Sequence, residues 1–289
     1  LHSCWSYDAA VTPRALVQTA EALGIRRIAL TDHHVVDGLA EAREAAGDHP
    51  GVTLVAGAEL TVNASIGAVD MVCLGFAPEA VEALGPVWDA YHEWQREFGA
   101  TLRQGISALG HEFTESQHRE LLRSYRPARC ISKQGMTHVG GSVLRPWLIE
   151  QGIVDSLEDW GPLMGAAAER VPRPPYPAAD FVLPAVKRAG ALVVIAHPTR
   201  YFLRDDRERM ETLPEELLLD GVECAHPGVP PELTAAYRDW CVEHRLFSTG
   251  SSDLHFPDAL EESMGRHIGP DEWWDELAER LPAGAMVND

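Results

Sequence analysis

The sequence predicts an α/β protein, built on a largely parallel sheet or barrel and interrupted by a block of helices. Three observations carry that expectation: apolar strand-like runs alternate with helix-like periods in residues 1–85, the stretch at 86–177 has helical periodicity without a strand, and the alternation returns in 178–289. The expected organisation is therefore a barrel in two parts around a helical insertion that serves as a lid or substrate subdomain.

Each element has its own warrant. "TPRALVQTAEALGI" opens on Thr-Pro, keeps an apolar helical period and stops at Gly, as a capped helix does. "RRIALTDHH" reads as a buried strand ending in polar residues, "VDGLAEAREAAG" as a helix, "GVTLVAGAELTV" as a strand and "AVDMVCLGF" as another. In the insertion, "VWDAYHEWQREFGATLRQGISAL", "SVLRPWLIEQGI" and "SLEDWGPLMGAAAERV" read as helices, and the proline-rich "VPRPPYP" closes the block. Then follow helix "AADFVLPAVKRAG", strands "ALVVIAHP" and "LDGVECAHP", helix "PPELTAAYRDWCVEHR" and strand "LFSTGSSDLH". No internal repeat is present.

Composition excludes several classes. No stretch reaches the roughly 18 apolar residues of a membrane span, and no basic-then-apolar leader opens the chain, so the expected location is the cytoplasm. Five cysteines, odd in number and without a CxxC spacing, speak against a disulfide framework or a thiolate zinc site. A formal net charge of −20 opposes binding to duplex nucleic acid through a broad basic face, while leaving room for a local phosphate site. Acids held on cations would make that formal charge an overstatement.

The ionisable residues fall where apolar runs end. "RRIAL" leads into Asp32, His33 and His34, "VTLVAGA" into Glu59, "ALVVI" into His197, "DGVEC" into His226, and "LFSTGSS" into Asp253 and His255. One histidine after one strand is ordinarily a hydrogen-bonded core or loop residue. Five such strand ends on one face are different, because burying these groups without partners costs several kcal/mol and a shared set of cations satisfies them together. Imidazoles and carboxylates without thiolates favour zinc, manganese or iron over calcium.

In order, "HSCWSYD", "TDHH", "GAEL", "AHP" and "GSSDLH" resemble the motifs of the PHP (polymerase and histidinol phosphatase) superfamily of metal-dependent phosphoesterases. The resemblance spans nearly the whole chain and implies a distorted (β/α)7 TIM-like barrel with a site for two to three divalent ions (Mn, Fe or Zn). It implies that His2, Glu59 and Asp253 hold one ion, that Glu59 bridges to a second also held by His197, and that Asp8, His33 and His255 hold a third. The family's first motif is His-x-His; His2 matches its second histidine, so the first is expected immediately before Leu1. Relatives often carry a further histidine about a dozen residues beyond the glutamate. Asp70 and Val72 occupy that neighbourhood here, and Asp70 is the expected replacement if strand alternation points both inward. "TH" at Thr137 and His138, "GIVDSLEDW", "AHPTRY", "SDLHFP" and "GRHIG" look most like the branch of nucleoside 3′,5′-bisphosphate phosphatases that also trim RNA 5′ ends.

The expected activity is phosphoester hydrolysis of nucleotides or short oligonucleotides by a hydroxide between two ions, with Glu59, His138 and His226 as catalytic candidates. His138 or His226 would protonate the leaving oxygen. Arg200 would grip phosphate as a fork, joined by His138, Arg126, Arg129 and Lys133 of the insertion, whose plain alternative is solvated surface charge. Trp88 or Trp94 would stack on a base or simply pack. Ser251 and Ser252 lack the G-x-S-x-G setting of a nucleophile, and the glycines of "THVGGSVL" match no phosphate-loop pattern. Two alternatives stand beside this reading: a small-metabolite phosphatase, for example of histidinol phosphate, and a PHP module whose metals only hold structure.

Overall fold

Helices and strands alternate through α1 (Pro13–Ala22), β1 (Arg27–Leu30), α2 (Leu39–Asp48), β2 (Thr53–Ala64) and β3 (Gly67–Leu74). Helices alone follow: α3 (Pro78–Ala83), α4 (Gly85–Ala108), α5 (Glu115–Tyr125), α6 (Ala128–Gln134), α7 (Gly141–Glu150) and α8 (Trp160–Arg170). Alternation resumes with α9 (Ala179–Arg188), β4 (Leu192–Ile195), α10 (Arg207–Glu216), β5 (Gly221–Ala225), α11 (Pro231–His244) and β6 (Phe247–Gly250). Two short helices, α12 (Leu260–Ser263) and α13 (Asp271–Ala278), and a final strand β7 (Met286–Val287) complete the order. The structure, a computed structural model, describes residues 1–202 and 207–288.

The sheet runs β1-β2-β3-β4-β5-β6, with β7 antiparallel on β2. β1 lies parallel to β2, and β4, β5 and β6 are mutually parallel, but β3 is antiparallel to both its neighbours. The fold is thus α/β with a curled, mixed sheet. No ladder joins β1 to β6 among the described residues. The departure from a (β/α)7 repeat has a local cause: β2 is 12 residues long and turns through Ser65 and Ile66 straight into β3, so no helix intervenes to reverse the direction. Between β1 and β6 the sheet opens on a cavity of about 640 Å³ lined by Ile28, Val55, Val72, Thr249 and Trp273, with Glu59 and Glu223 also on its wall. The first residues cross that opening. Thr31 N–H donates to Leu1 O at 2.9 Å, and His2 N–H to Leu254 O at 3.0 Å.

Several apolar clusters form. The largest joins one face of the sheet to its helices through Leu16, Leu30, Leu54, Leu60, Val182 and Cys224, and a smaller one on the other face gathers Val55, Leu74, Val194 and Phe247. A separate core lies within the helical block and is made by Leu102, Ile106, Phe113, Leu122, Leu144 and Met164. All five cysteines are free and buried. No helix among the described residues is long and apolar enough to cross a membrane.

Helix α5 begins with a capping box in which Thr114 and Gln117 satisfy each other's backbone N–H groups. Its buried His118 stands 2.7 Å from Thr137 O, so Nε2 carries the proton and donates, and burial pushes the ring's pKa down to about 4. The unfolded chain takes up this proton first as pH falls, so the stability is whole above about pH 6.5 and drains away between there and about pH 4. The loss should approach ~3 kcal/mol, an order-of-magnitude figure. Thermal melts of His118→Gln should accordingly decline less than wild type over that window; parallel declines would assign acid lability to other groups.

Candidate metal centre

The centre assembles where the strands end. His2 lies in the segment that crosses between β1 and β6, and Asp8 in the following loop, where Ser6 Oγ donates to its Oδ1 at 2.8 Å. Gly140, at the start of α7, packs directly on Asp8: a Cβ there would lie 2.8 Å from Asp8 Cβ, so only glycine permits the approach. His33 follows β1 and pairs in parallel with Glu59 of β2. Glu59 faces Val72 across the antiparallel ladder, and Thr61 faces Asp70, so all four share one face of the sheet and Asp70 points inward. His197 follows β4, His226 follows β5, and Asp253 and His255 follow β6.

Three groups of donor atoms result. His2 Nε2 lies 3.4 Å from Glu59 Oε2 and 3.2 Å from Asp253 Oδ1. His197 Nε2 lies 3.3 Å from Glu59 Oε1 and 3.5 Å from Asp70 Oδ2. Asp8 Oδ2 lies 3.7 Å from His33 Nε2 and 3.5 Å from His255 Nε2. Glu59 thus divides its two oxygens between the first two groups. His2 also stacks between His33 and His255, with ring centroids 4.4 and 4.3 Å away. Two ligands each about 2.05 Å from one tetrahedral ion stand roughly 3.4 Å apart, which is the spacing found here. Nδ1 of His2, His33 and His197 is buried without a partner, a further sign that protein contacts alone do not satisfy these imidazoles. The donor set fits divalent ions.

Electrostatics agree. Burial alone would drive the His2 ring neutral, yet Asp253 and Glu59 prevail and hold its pKa up to about 10. Asp8 and Glu59 are held well below the usual carboxylate range: burial opposes this, and neighbouring histidines, His33 first, overcome it. Protons and metal ions compete for the same lone pairs in such a site.

A family description of the PHP domain matches residues 1–152 of the chain. The chain belongs to the PHP domain family. It is 27% identical over 296 residues to a 3′,5′-nucleoside bisphosphate phosphatase of Chromobacterium violaceum, covering 95% of this chain and 94% of that one. It is 26% identical to a 5′-3′ exoribonuclease of Haemophilus influenzae, covering 86% of each. Among solved structures, a candidate metal-dependent phosphoesterase of Bifidobacterium adolescentis superposes with TM-score 0.74 at 25% identity, over 97% of this chain and 94% of that one.

Around this PHP centre the backbone is strained at three strand ends. His34, His197 and Asp253 have φ of 65°, 30° and 47°, a left-handed region that non-glycine residues adopt rarely and at a cost of about 1–3 kcal/mol. Each N–H is held: His34 by Glu59 O at 2.8 Å, His197 by Glu223 Oε2 at 2.6 Å, Asp253 by Ser251 Oγ at 3.0 Å. Asp32 anchors the His2 segment by accepting from Ser3 N at 2.5 Å and Ser3 Oγ at 2.7 Å. Asp70 accepts from Thr61 Oγ1 at 2.5 Å and Tyr201 Oη at 3.0 Å. Sequence reasoning missed the roles of Ser3, Asp32, Thr61, Tyr201 and Glu223. Two of them carried a signal, Asp32 as an ionisable residue at a strand end and Glu223 as a charge inside the apolar run "GVECA".

Hydrogen bonds sort the remaining histidines. His255 Nδ1 lies 2.8 Å from Asp253 O and must donate, which leaves the Nε2 lone pair facing Asp8. His226 is the reverse. Its Nδ1 accepts from Gly228 N–H at 2.8 Å, so in the neutral ring the proton sits on Nε2, 3.4 Å from Asp253 Oδ2. His138 is buried against Tyr7, with ring centroids 3.7 Å apart, and burial pushes its pKa down to about 3. Arg200 reaches the centre's rim with Nη1 3.6 Å from Asp70 Oδ2 and remains 63% exposed.

The structure does not bring the insertion's cations to the donor groups. Arg126 is buried, donating to Cys4 O, Trp5 O, Thr137 Oγ1 and Gln134 Oε1. Arg129 pairs with Glu41 at 3.0 Å and Lys133 with Asp37 at 2.9 Å. The physical reason is that α6 and the turn before it dock on the loops following Ser3 and His34 and on the first turn of α2, whose acids and carbonyls take up these charges. Trp88 and Trp94 are buried and donate to Val81 O and Pro174 O, which is packing rather than an exposed stacking face.

Proposed function

We propose that the chain hydrolyses phosphate esters of nucleotides or short oligonucleotides at this centre. The observation that carries the proposal is the division of Glu59's carboxylate between two donor groups, with the Asp8, His33 and His255 group alongside. His2, Asp8, His33, Glu59, Asp70, His197, Asp253 and His255 would hold two to three divalent ions of the Mn, Fe or Zn class. Such ions neutralise phosphoryl oxygens and bring the pKa of a water toward neutrality. In this reading the chain's own groups do the rest. Arg200, exposed at the rim, grips a phosphoryl oxygen, and the protonated Nε2 of His226 donates toward the leaving oxygen. His138 stays neutral beside Tyr7 and shapes the entrance. The nucleotide part of the proposal rests on the similarity to the bisphosphate phosphatase and the exoribonuclease.

One observation favours a second reading, a phosphatase of small monophosphates. With Arg126, Arg129 and Lys133 engaged by protein groups, the insertion offers no obvious cradle of its own for a second phosphate. Phosphate release from a nucleoside 3′,5′-bisphosphate, a dinucleotide and histidinol phosphate, each with added manganese, separates the two. The nucleotide substrates should lead in kcat/KM by about tenfold or more. A lead for histidinol phosphate would favour the second reading, and no release from any of the three would end both.

A further inference from the structure

We propose that Tyr7 is a substrate-contacting residue whose hydroxyl donates a hydrogen bond to a non-bridging phosphoryl oxygen of the ester; this rests on the phosphoesterase reading above. Tyr7 immediately precedes Asp8, and its ring is clamped: 3.7 Å from the His138 centroid, 5.4 Å from His33 and 6.0 Å from His34, the last nearly parallel at 15°. Its backbone is fixed too, because Tyr125 Oη donates to Tyr7 O while accepting from Gly140 N–H at 3.2 Å. A phenol so held cannot swing, and its hydroxyl direction is set before any ligand arrives.

Tyr7 stands beside the centre: it directly precedes Asp8, and its ring centroid lies 5.4 Å from that of His33, both members of the third donor group. Three of the other tyrosines nearby have their hydroxyls occupied: Tyr91 donates to Thr61 O at 2.8 Å, Tyr201 to Asp70 Oδ2 at 3.0 Å, and Tyr125 to Tyr7 O. Tyr7 Oη makes no hydrogen bond to any described residue, although the residue is half-buried. A hydroxyl placed beside these donor groups and left without a protein acceptor suits an acceptor that comes and goes, and a phosphoryl oxygen is one. Donors set in advance at such a position act most strongly where charge builds up during reaction.

Tyr7→Phe removes only the hydroxyl and keeps the ring between His138 and His33. With manganese present, kcat/KM should fall about 10- to 100-fold, and to the same extent, on p-nitrophenyl phosphate and on a nucleoside monophosphate. Inorganic phosphate, titrated calorimetrically into the manganese-loaded protein, should bind correspondingly more weakly to the variant, while Tm and manganese stoichiometry stay those of wild type. Unchanged kcat/KM and phosphate affinity would overturn the proposal. So would a loss confined to the nucleoside ester, which would move the contact to the leaving oxygen, or a loss accompanied by weaker manganese binding, which would make Tyr7 a support of Asp8. Should the wild-type chain hydrolyse neither ester, the phosphoesterase reading fails, and the phosphate titration alone decides Tyr7.

Discussion

Glu59→Gln should reduce phosphoester hydrolysis by about two to three orders of magnitude and weaken manganese binding, with the fold retained. The argument is local. Glu59 Oε1 stands 3.3 Å from His197 Nε2 and Oε2 stands 3.4 Å from His2 Nε2, so each oxygen serves a different donor group. Glutamine has nearly the same shape but turns one oxygen into an NH₂ that cannot accept, and it removes the charge the two groups share. Far-ultraviolet circular dichroism and Tm should remain close to wild type, because the β2–β3 ladder around position 59 is made by backbone groups. Near-normal turnover with full manganese stoichiometry would show that Glu59 is a bystander.

The second large effect is on stability. Arg126→Ala should cost about 3–5 kcal/mol, lowering Tm by roughly 10 °C, since it empties a buried site and orphans several acceptors at once. Arg126 is 3% exposed, and its donors go to Cys4 O, Trp5 O, Thr137 Oγ1 and Gln134 Oε1. These partners tie the His2 segment to the helical block. Arg129→Ala, by contrast, breaks an exposed pair with Glu41 that is worth less than about 1 kcal/mol. Chemical denaturation of both variants tests the contrast. Equal, small losses would mean that the Arg126 site is readily filled by water.

These two arginines show where sequence reading succeeds and where it stops. Most of the proposed donor residues stood out in the sequence because they lie in or just after an apolar run, and a strand's end in an α/β sheet is a place of known orientation, whereas His2 and Asp8, ahead of α1, stood out only through the resemblance to a family motif. Asp70 was offered as the replacement for a family histidine on condition that strand alternation turned it inward, and the Thr61–Asp70 register places it on the face of Glu59. The insertion's cations were not. Helix-rich segments do not disclose which charges turn inward, and Arg126, Arg129 and Lys133 read alike until α6 is seen docked on Cys4, Trp5 and the acids Glu41 and Asp37. Helix α5 could have been found, since Thr114 followed by Gln117 is a start signal. The antiparallel course of β3 was harder, because the short turn through Ser65 and Ile66 carries no strong turn dipeptide. The roles of Glu223 and Asp32 needed three dimensions: Glu223 accepts from the His197 N–H and Asp32 from the N–H and hydroxyl of Ser3, pairings that leave no mark in a sequence.

The donor groups draw on residues from His2 to His255, and every one of the three needs a contribution from before β2 or after β3. The group of Glu59, Asp70 and His197 is complete once residue 197 has been made, but the full set of three cannot be present until residue 255 has left the ribosome. Contacts this distant in sequence close late and slowly during folding. Filling of all three proposed groups would then mark the end of folding rather than guide it.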